Sequence, residues 1–311
     1  MKRISLDELD LSINKKQKSL FRLDLFDLID GSNISLPVAV IGKGKGSQVT
    51  IVAAQHGNEW NGSFACHLLY QLLDPAKMKG KVVMLPIANP PAFTQRARVS
   101  NLDYIDMNRT FGFVKKRKPT EHLAKIIFEK FCLTADYVLD LHSGGPGEYI
   151  PIVEVIDYEN IELAKSLNLK NILIRKKDSG SLVPNCEKLV VKAFSIEAGR
   201  ALKLNYDYAE SLAKGIINFL KTLGVIDESP ATIEEQNVYT GKIILPSEKS
   251  GFFKSKVKLL DKVEKGQPIC TVWPFFESEP QEIVSPVKGT IIYLRSDEVI
   301  SQGDSICHIA E

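Results

Sequence analysis

The sequence predicts an α/β protein with a mixed, mostly parallel sheet, followed by a small all-β region. Three observations carry that prediction. Apolar strand-like runs alternate with amphipathic helical stretches between residues 36 and 223. Several of the runs are unbroken and β-branched, as strands covered on both faces require. Beyond about residue 228 the helical periodicity stops, and a short pattern recurs at an offset of 37 residues.

Composition bounds the rest. With 311 residues the chain is long enough for one large and one small domain, expected here as residues 1–228 and 229–311. Its 44% hydrophobic and 25% charged content is that of an ordinary globular protein. A net charge of +2 gives no case for nucleic acid or an anionic membrane as partner. The charged start, MKRISLDELDLSINKKQKSL, lacks the apolar core of a secretory signal, and no apolar run approaches a membrane span. The five cysteines are scattered and have no C-x-x-C spacing, so reduced thiols and a cytoplasmic setting are expected.

In order, residues 1 to about 30 read as an irregular or partly helical lead-in. Leu36–Ile41 reads as a strand, and the Gly-Lys-Gly-Lys-Gly run at 42–46 as a hairpin turn. Val49–Ala54 is the central buried strand, and it runs into a turn carrying His56 and Glu59. Trp60–Leu73 is helical, with Phe64, Leu68, Leu69 and Leu72 on one face; His67 within it reads as solvated or hydrogen-bonded. Lys81–Ile87 is a strand, after which Asn89-Pro90-Pro91 must leave regular structure. A polar, Arg-rich loop fills 95–109. Glu121–Phe131 is helical, with His122 on its surface. Ala135–Leu141 is a strand ending at His142, and Ser143–Gly147 is a loop. Tyr149–Ile156 is a strand, Asn160–Ser166 a short helix, Leu189–Ile196 a strand ending at Glu197, and Tyr206–Leu223 a long amphipathic helix.

Asp227–Pro230 reads as a linker. Beyond it, Val263–Cys270 and Ile300–Cys307 share one form: apolar, two residues, Gly, Gln or Asp, one residue, Ile, Cys. Two such β-units facing each other describe a barrel-sandwich of the biotinyl/lipoyl type. Carrier domains of that type need a Lys at the tip of the joining hairpin, and 273–283 contains none. The region is therefore read as a cap, an oligomer contact or part of a pocket wall.

Three strands thus end in ionisable residues: His56 with Glu59, His142, and Glu197. Ligands in open α/β sheets gather where strands end. Two imidazoles and one carboxylate form a His₂Glu set that suits zinc and leaves a position open, the pattern of a catalytic site. Such a metal makes water a nucleophile at neutral pH, and a further carboxylate must carry its proton to the leaving amine. Glu197 is the candidate. Taken singly, each has a plainer reading: a surface His beside a helix-starting Glu, or a Glu paired with Arg200.

Together, His56-Gly57-Asn58-Glu59, Asp106-Met107-Asn108-Arg109-Thr110-Phe111, Asp140-Leu141-His142-Ser143 and Ile196-Glu197-Ala198-Gly199 resemble the succinylglutamate desuccinylase/aspartoacylase family, the deacylase branch of the zinc carboxypeptidase (M14-type) superfamily. The resemblance runs from about residue 37 to the end and includes Asn89–Phe93. It implies a three-layer α/β/α domain of zinc carboxypeptidase type plus a C-terminal barrel-sandwich-like β-domain. It implies one zinc per chain on His56, Glu59 and His142, with Glu197 as general base. Asp106 is similar to the carboxylate that orients a ligand imidazole, and Asp140, on the same strand face as His142, is either a similar support or a buried strand residue. Asn108 and Arg109 resemble the pair holding a substrate carboxylate. Arg98 resembles the arginine that polarises the scissile carbonyl, with Arg96 as the competing assignment. The implied substrate is a small N-acyl amino acid, and a homo-oligomer is possible.

Two departures concern substrate identity, not metal chemistry. Asn101 and Tyr104 stand where the family's R-x-S-P-x-D-G frame has Pro and Gly, and Phe111-Gly112-Phe113 replaces the usual F-P-G. Asp140–Gly145 is similar to deacetylases of N-acetylated diamino acids. The alternatives are a carboxypeptidase with the same metal site, and a binding module without hydrolase activity.

Overall fold

The structure is a computed structural model and describes residues 1–12, 16–43, 46–112, 118–176, 180–276 and 279–311. The unbroken apolar run after Ser47 forms a strand in which every residue is buried. Three strands precede it: the short β1 (Lys2–Ile4), then β2 (Gln17–Asp27) and β3 (Asn33–Gly42), ahead of the central β4 (Gln48–Ala53). Helix α1 (Asn61–Leu72) leads to β5 (Lys81–Leu85), and helices α2 (Pro90–Gln95) and α3 (Pro119–Ile127) precede β6 (Tyr137–His142). Next come β7 (Gly147–Val155), α4 (Ile161–Lys165), β8 (Asn171–Ile174), α5 (Leu182–Glu187), β9 (Lys192–Gly199) and α6 (Tyr206–Thr222).

The sheet runs β1-β2-β3-β5-β4-β6-β9-β7, with β5, β4, β6 and β9 parallel and the flanks mixed. Period-two alternation sends successive side chains to opposite faces. Val49, Ile51, Ala53, Leu139, Leu141, Phe194 and Ile196 pack under α1 and α6. Val52, Val83, Leu85, Val138 and Ala193 pack under α3 and α5. This is the three-layer arrangement.

The remaining strands are β10 (Asn237–Tyr239), β11 (Lys242–Pro246), β12 (Gly251–Ser255), β13 (Lys262–Val263), β14 (Pro268–Trp273), β15 (Gln281–Val284), β16 (Gly289–Arg295), β17 (Val299–Ile300) and β18 (Ser305–Ala310). The sequence repeat is a structural one. Each copy runs from a short strand (β13, β17) through a turn at Gly266 or Gly303, both at positive φ, into a longer strand (β14, β18). The short strands are exchanged: β13 pairs with β16, and β17 with β12. Cys270 and Cys307 sit in the shared core. This β-region also continues the large sheet, because β16 pairs antiparallel with β7 and β10 pairs parallel with β8.

Several expectations need correction. The lead-in is strand: Phe21, Leu23 and Leu25 alternate with Leu20, Arg22 and Asp24, and β2 pairs with β3 over its whole length. The 42–46 run does not close a hairpin, because β5 lies between β3 and β4 and bonds to both; residues 44–45 themselves lie outside the described residues. Asn89-Pro90-Pro91 opens α2, with the Asn89 side chain accepting from the Ala92 N–H at 3.3 Å and proline in the first turn, where its missing donor costs nothing. Helix α3 ends at Ile127 and passes into a π-helical turn, Phe128–Cys132. Strand β9 begins only at Lys192, since Val190 is left-handed at φ 66°. Strand β8 and helix α5 were not anticipated. Phe113 and the hairpin positions 277–278 lie outside the described residues.

Candidate active site

Because β4, β6 and β9 are parallel and in register, their C-terminal ends share one edge of the sheet. After β4 the chain bends at Ala54, which is buried with φ 52°. Gly57, between the two site residues, serves a close approach: a Cβ there would meet the Ala92 carbonyl carbon at 2.0 Å. The turn delivers His56 and Glu59. His142 closes β6, directly opposite Glu197 on β9. Asn61, buried at the start of α1, ties these ends together: its Nδ2 donates to Ala198 O at 3.0 Å and Ser143 Oγ at 3.2 Å, and its Oδ1 accepts from Asn205 N at 2.8 Å.

His56, Glu59 and His142 are all buried, and one donor atom from each lies within 4.8 Å of the others. Glu59 sits between the rings. Its Oε1 is 2.8 Å from His56 Nδ1, and its Oε2 is 3.1 Å from His142 Nδ1 and accepts from Ser143 N at 2.9 Å. Both Nε2 atoms face outward to carboxylates: His56 to Asp106 Oδ1 and His142 to Asp140 Oδ2, each at 3.0 Å. Asp140 is in turn held by Gln55 Nε2 at 2.5 Å. With its proton on Nε2 facing the outer carboxylate, each neutral imidazole would turn its Nδ1 lone pair inward, the tautomer a metal ligand needs.

The electrostatics agree with a cation site. Burial opposes the imidazolium at His142, but Asp140 and Glu59 outweigh it and raise its pKa well above the ordinary range. Burial likewise opposes ionisation of Asp106, yet His56 and Arg98 hold its carboxyl far below the usual range. Buried carboxylates around two inward-facing imidazoles are satisfied by a divalent ion, so the donor set fits zinc. Glu197 is buried beside it, and its Oε2 has no hydrogen-bond partner among the described residues. Burial, with Glu59 and Glu154, pushes its pKa up against the pull of His142 and Lys242.

The remaining expected residues surround the same cavity, about 210 Å³ in volume. Arg98 lines it, with one guanidinium nitrogen 2.8 Å from Asp106 Oδ2 and the other 3.6 Å from Glu59 Oε1. Arg96 is exposed at the left-handed end of α2 and does not line it. Asn108 Oδ1 accepts from Leu182 N at 2.9 Å, and its side chain lines the cavity beside His142. Arg109 is exposed at the rim, and its NH1 donates to Asn108 O at 2.7 Å. A larger cavity of about 680 Å³ adjoins, sharing Asn108, Arg109, His142 and Glu197. His67 and His122 are exposed, against Phe64 and Phe26.

Sequence reasoning missed one side of the cavity. Tyr149 on β7, Tyr293 on β16 and His308 on β18 line it, so the β-region supplies part of the pocket wall. Lys242 on β11 reaches into the adjoining cavity. No local motif marks these residues. Gln55 and Asn61 flank the His56–Glu59 motif and could have been found by asking what holds the strand ends.

The fold and site thus define a mixed-sheet α/β protein with a His–Glu–His cluster at its parallel strand ends, joined to an antiparallel β-region. Residues 45–223 match the succinylglutamate desuccinylase/aspartoacylase catalytic domain, and the chain belongs to that family. It is 29% identical over 297 residues to an N-alpha-acetyl-L-2,4-diaminobutyric acid deacetylase of Halomonas elongata, covering 89% of this chain and 86% of the relative. The ectoine utilization protein EutE (DoeB) of Ruegeria pomeroyi, solved with product bound, superposes with a TM-score of 0.88 at 22% identity, covering 97% of each chain. A succinylglutamate desuccinylase/aspartoacylase structure from Rhodobacter sphaeroides gives 0.88 at 20% identity, covering 98% of each. Among the described residues no helix is long and apolar enough to cross a membrane.

Proposed function

We propose that this chain is a zinc-dependent amidohydrolase that removes the acyl group from a small N-acyl amino acid. The observation that carries the reading is the convergence of His56, Glu59 and His142 within 4.8 Å, on a cavity that Glu197, Arg98, Asn108 and Arg109 also face. His56, Glu59 and His142 would hold one zinc ion. Bound there, zinc supplies a Lewis acid that activates water and polarises the carbonyl. Glu197 takes the proton of the attacking water and returns it to the leaving amine. Arg98, fixed by Asp106, stabilises charge developing on the carbonyl oxygen. Arg109 and the NH₂ of Asn108 hold the substrate carboxylate. Asp106 and Asp140 keep the imidazoles in the ligating tautomer.

The Halomonas elongata relative favours an N-acetylated diamino acid as substrate. The test is zinc content with and without chelator, coupled to amine release from N-acetyl, N-succinyl and N-formyl amino acids and short peptides. About one zinc per chain and chelator-sensitive turnover of an N-acyl amino acid are expected. Turnover of peptides alone would make the chain a carboxypeptidase. Zinc without any turnover would make it a binding module.

A further inference from the structure

We propose that His308 is a substrate-binding residue, presenting an Nε2–H donor to a carbonyl or carboxylate oxygen of the N-acyl amino acid. The proposal rests on the deacylase reading above and adds a residue from the β-region to that site.

Sheet register places the ring. Tyr149 pairs with Tyr293 across β7 and β16, and Tyr293 pairs with His308 across β16 and β18. The three side chains therefore form one lateral row. The His308 ring stacks on Tyr293 at 4.4 Å between centroids and 27° between planes, and meets Tyr149 edge-on at 5.3 Å. All three line the cavity that holds His56, Glu59, His142 and Glu197.

Hydrogen-bond valence then fixes the tautomer. Tyr149 Oη contacts His308 Nδ1. It also receives Lys242 Nζ at 3.0 Å, and an ammonium can only donate. Lys242 is itself anchored on Glu154 at 2.8 Å, whose other oxygen is 3.1 Å from Arg175. The phenol accepts from Lys242, and among the described residues His308 Nδ1 is the one acceptor within reach of its own proton, so that proton goes to His308 Nδ1. With Nδ1 an acceptor, the neutral ring carries its proton on Nε2. The side chain's hydrogen bond to the described residues is made through Nδ1, which leaves Nε2 for a ligand, and the ring is only partly buried where it lines the cavity. Burial and Lys242 push the His308 pKa down to about 3 against the pull of Glu154, so the ring stays neutral at neutral pH.

The experiment uses zinc-loaded, full-length protein labelled with ¹⁵N-histidine, with the His308 signals assigned by comparison with His308→Gln. At neutral pH the expected signature is a protonated Nε2 and an unprotonated Nδ1, lost in Tyr149→Phe. Sodium acetate and free 2,4-diaminobutyrate are then titrated separately. A shift of Nε2 with acetate places the bond on the acyl half, and a shift with diaminobutyrate places it on the amino-acid half. A shift with neither, or an Nδ1–H tautomer, overturns the proposal. In kinetics, His308→Phe raises KM about tenfold with kcat within about threefold, as loss of a uniform binding contact should. His308→Gln, which keeps an N–H donor, stays within about threefold of the parent KM. An unchanged KM in a His308→Phe protein with the parental melting temperature overturns the assignment. The expected tautomer and probe shift in a protein that hydrolyses no N-acyl amino acid would sink the deacylase reading alone.

Discussion

His56, Glu59 and His142 reach the cavity at or just beyond the ends of parallel strands, whereas Tyr149, Tyr293 and His308 reach it as a row across antiparallel ones. The two walls also differ in electrostatics. On the His–Glu–His wall carboxylates surround the imidazoles and favour a cation there. On the aromatic wall burial and the Lys242 ammonium, itself anchored on Glu154, keep an imidazole neutral against the pull of that carboxylate. In the proposed reading one residue type therefore serves as ligand on one side and as a neutral donor on the other. What separates the roles is the charge packed against the ring.

The strongest way to sharpen this contrast is to separate chemistry from metal binding. Glu197→Ala is expected to lose more than about 90% of amine-release activity, since general-base catalysis contributes roughly 10²–10⁴-fold. Its zinc content and melting temperature are expected to stay near those of the parent. Near-normal turnover would break the assignment. A smaller effect probes the support behind the ligands. Asp140→Asn removes the carboxylate behind His142, and competition with a chromogenic chelator is expected to show zinc affinity weakened by about 10–100-fold. Unaltered affinity would make Asp140 simply a buried strand residue held by Gln55.

The smallest effect compares the walls directly, through the stability of metal-free protein against pH. His308 has a folded pKa of about 3, below its ordinary value. The unfolded chain therefore binds that proton first, and stability falls as pH drops from about 6.5 towards 3. Glu154 acts in the same direction: burial opposes its ionisation, but Lys242 and Arg175 lower its pKa, so its contribution is present above the ordinary carboxylate value and lost below it. His142 acts in the opposite direction, because its pKa is raised: its contribution is full at low pH and lost as pH rises through the folded value. Thermal melts from pH 4 to 8 are expected to show both limbs, with His308→Phe flattening the acid limb between about pH 6.5 and 4.5. An acid limb unchanged in that variant would show that the aromatic wall does not titrate as described.

Much of the His–Glu–His wall was legible in the sequence. His56, Glu59, His142 and Glu197 each stand at the end of a β-branched run, and parallel strands carry such ends to one edge. The 37-residue repeat likewise announced two related β-units, because Gly266 and Gly303 mark the same turn in both. The alternation in β2 was present and went unread among the polar residues of the first 30.

What the sequence by itself determined is local: strand runs, the ionisable residues at their ends, amphipathic helices and the repeated β-unit follow from patterns over a few residues. Only the tertiary structure decided that β5 enters between β3 and β4, that Arg98 and not Arg96 lines the cavity, and that Tyr149 meets His308 across 159 positions of chain. The physical reason is that strand pairing is non-local. Which side chains share a row depends on the register between strands distant in sequence, and nothing in either strand alone specifies it.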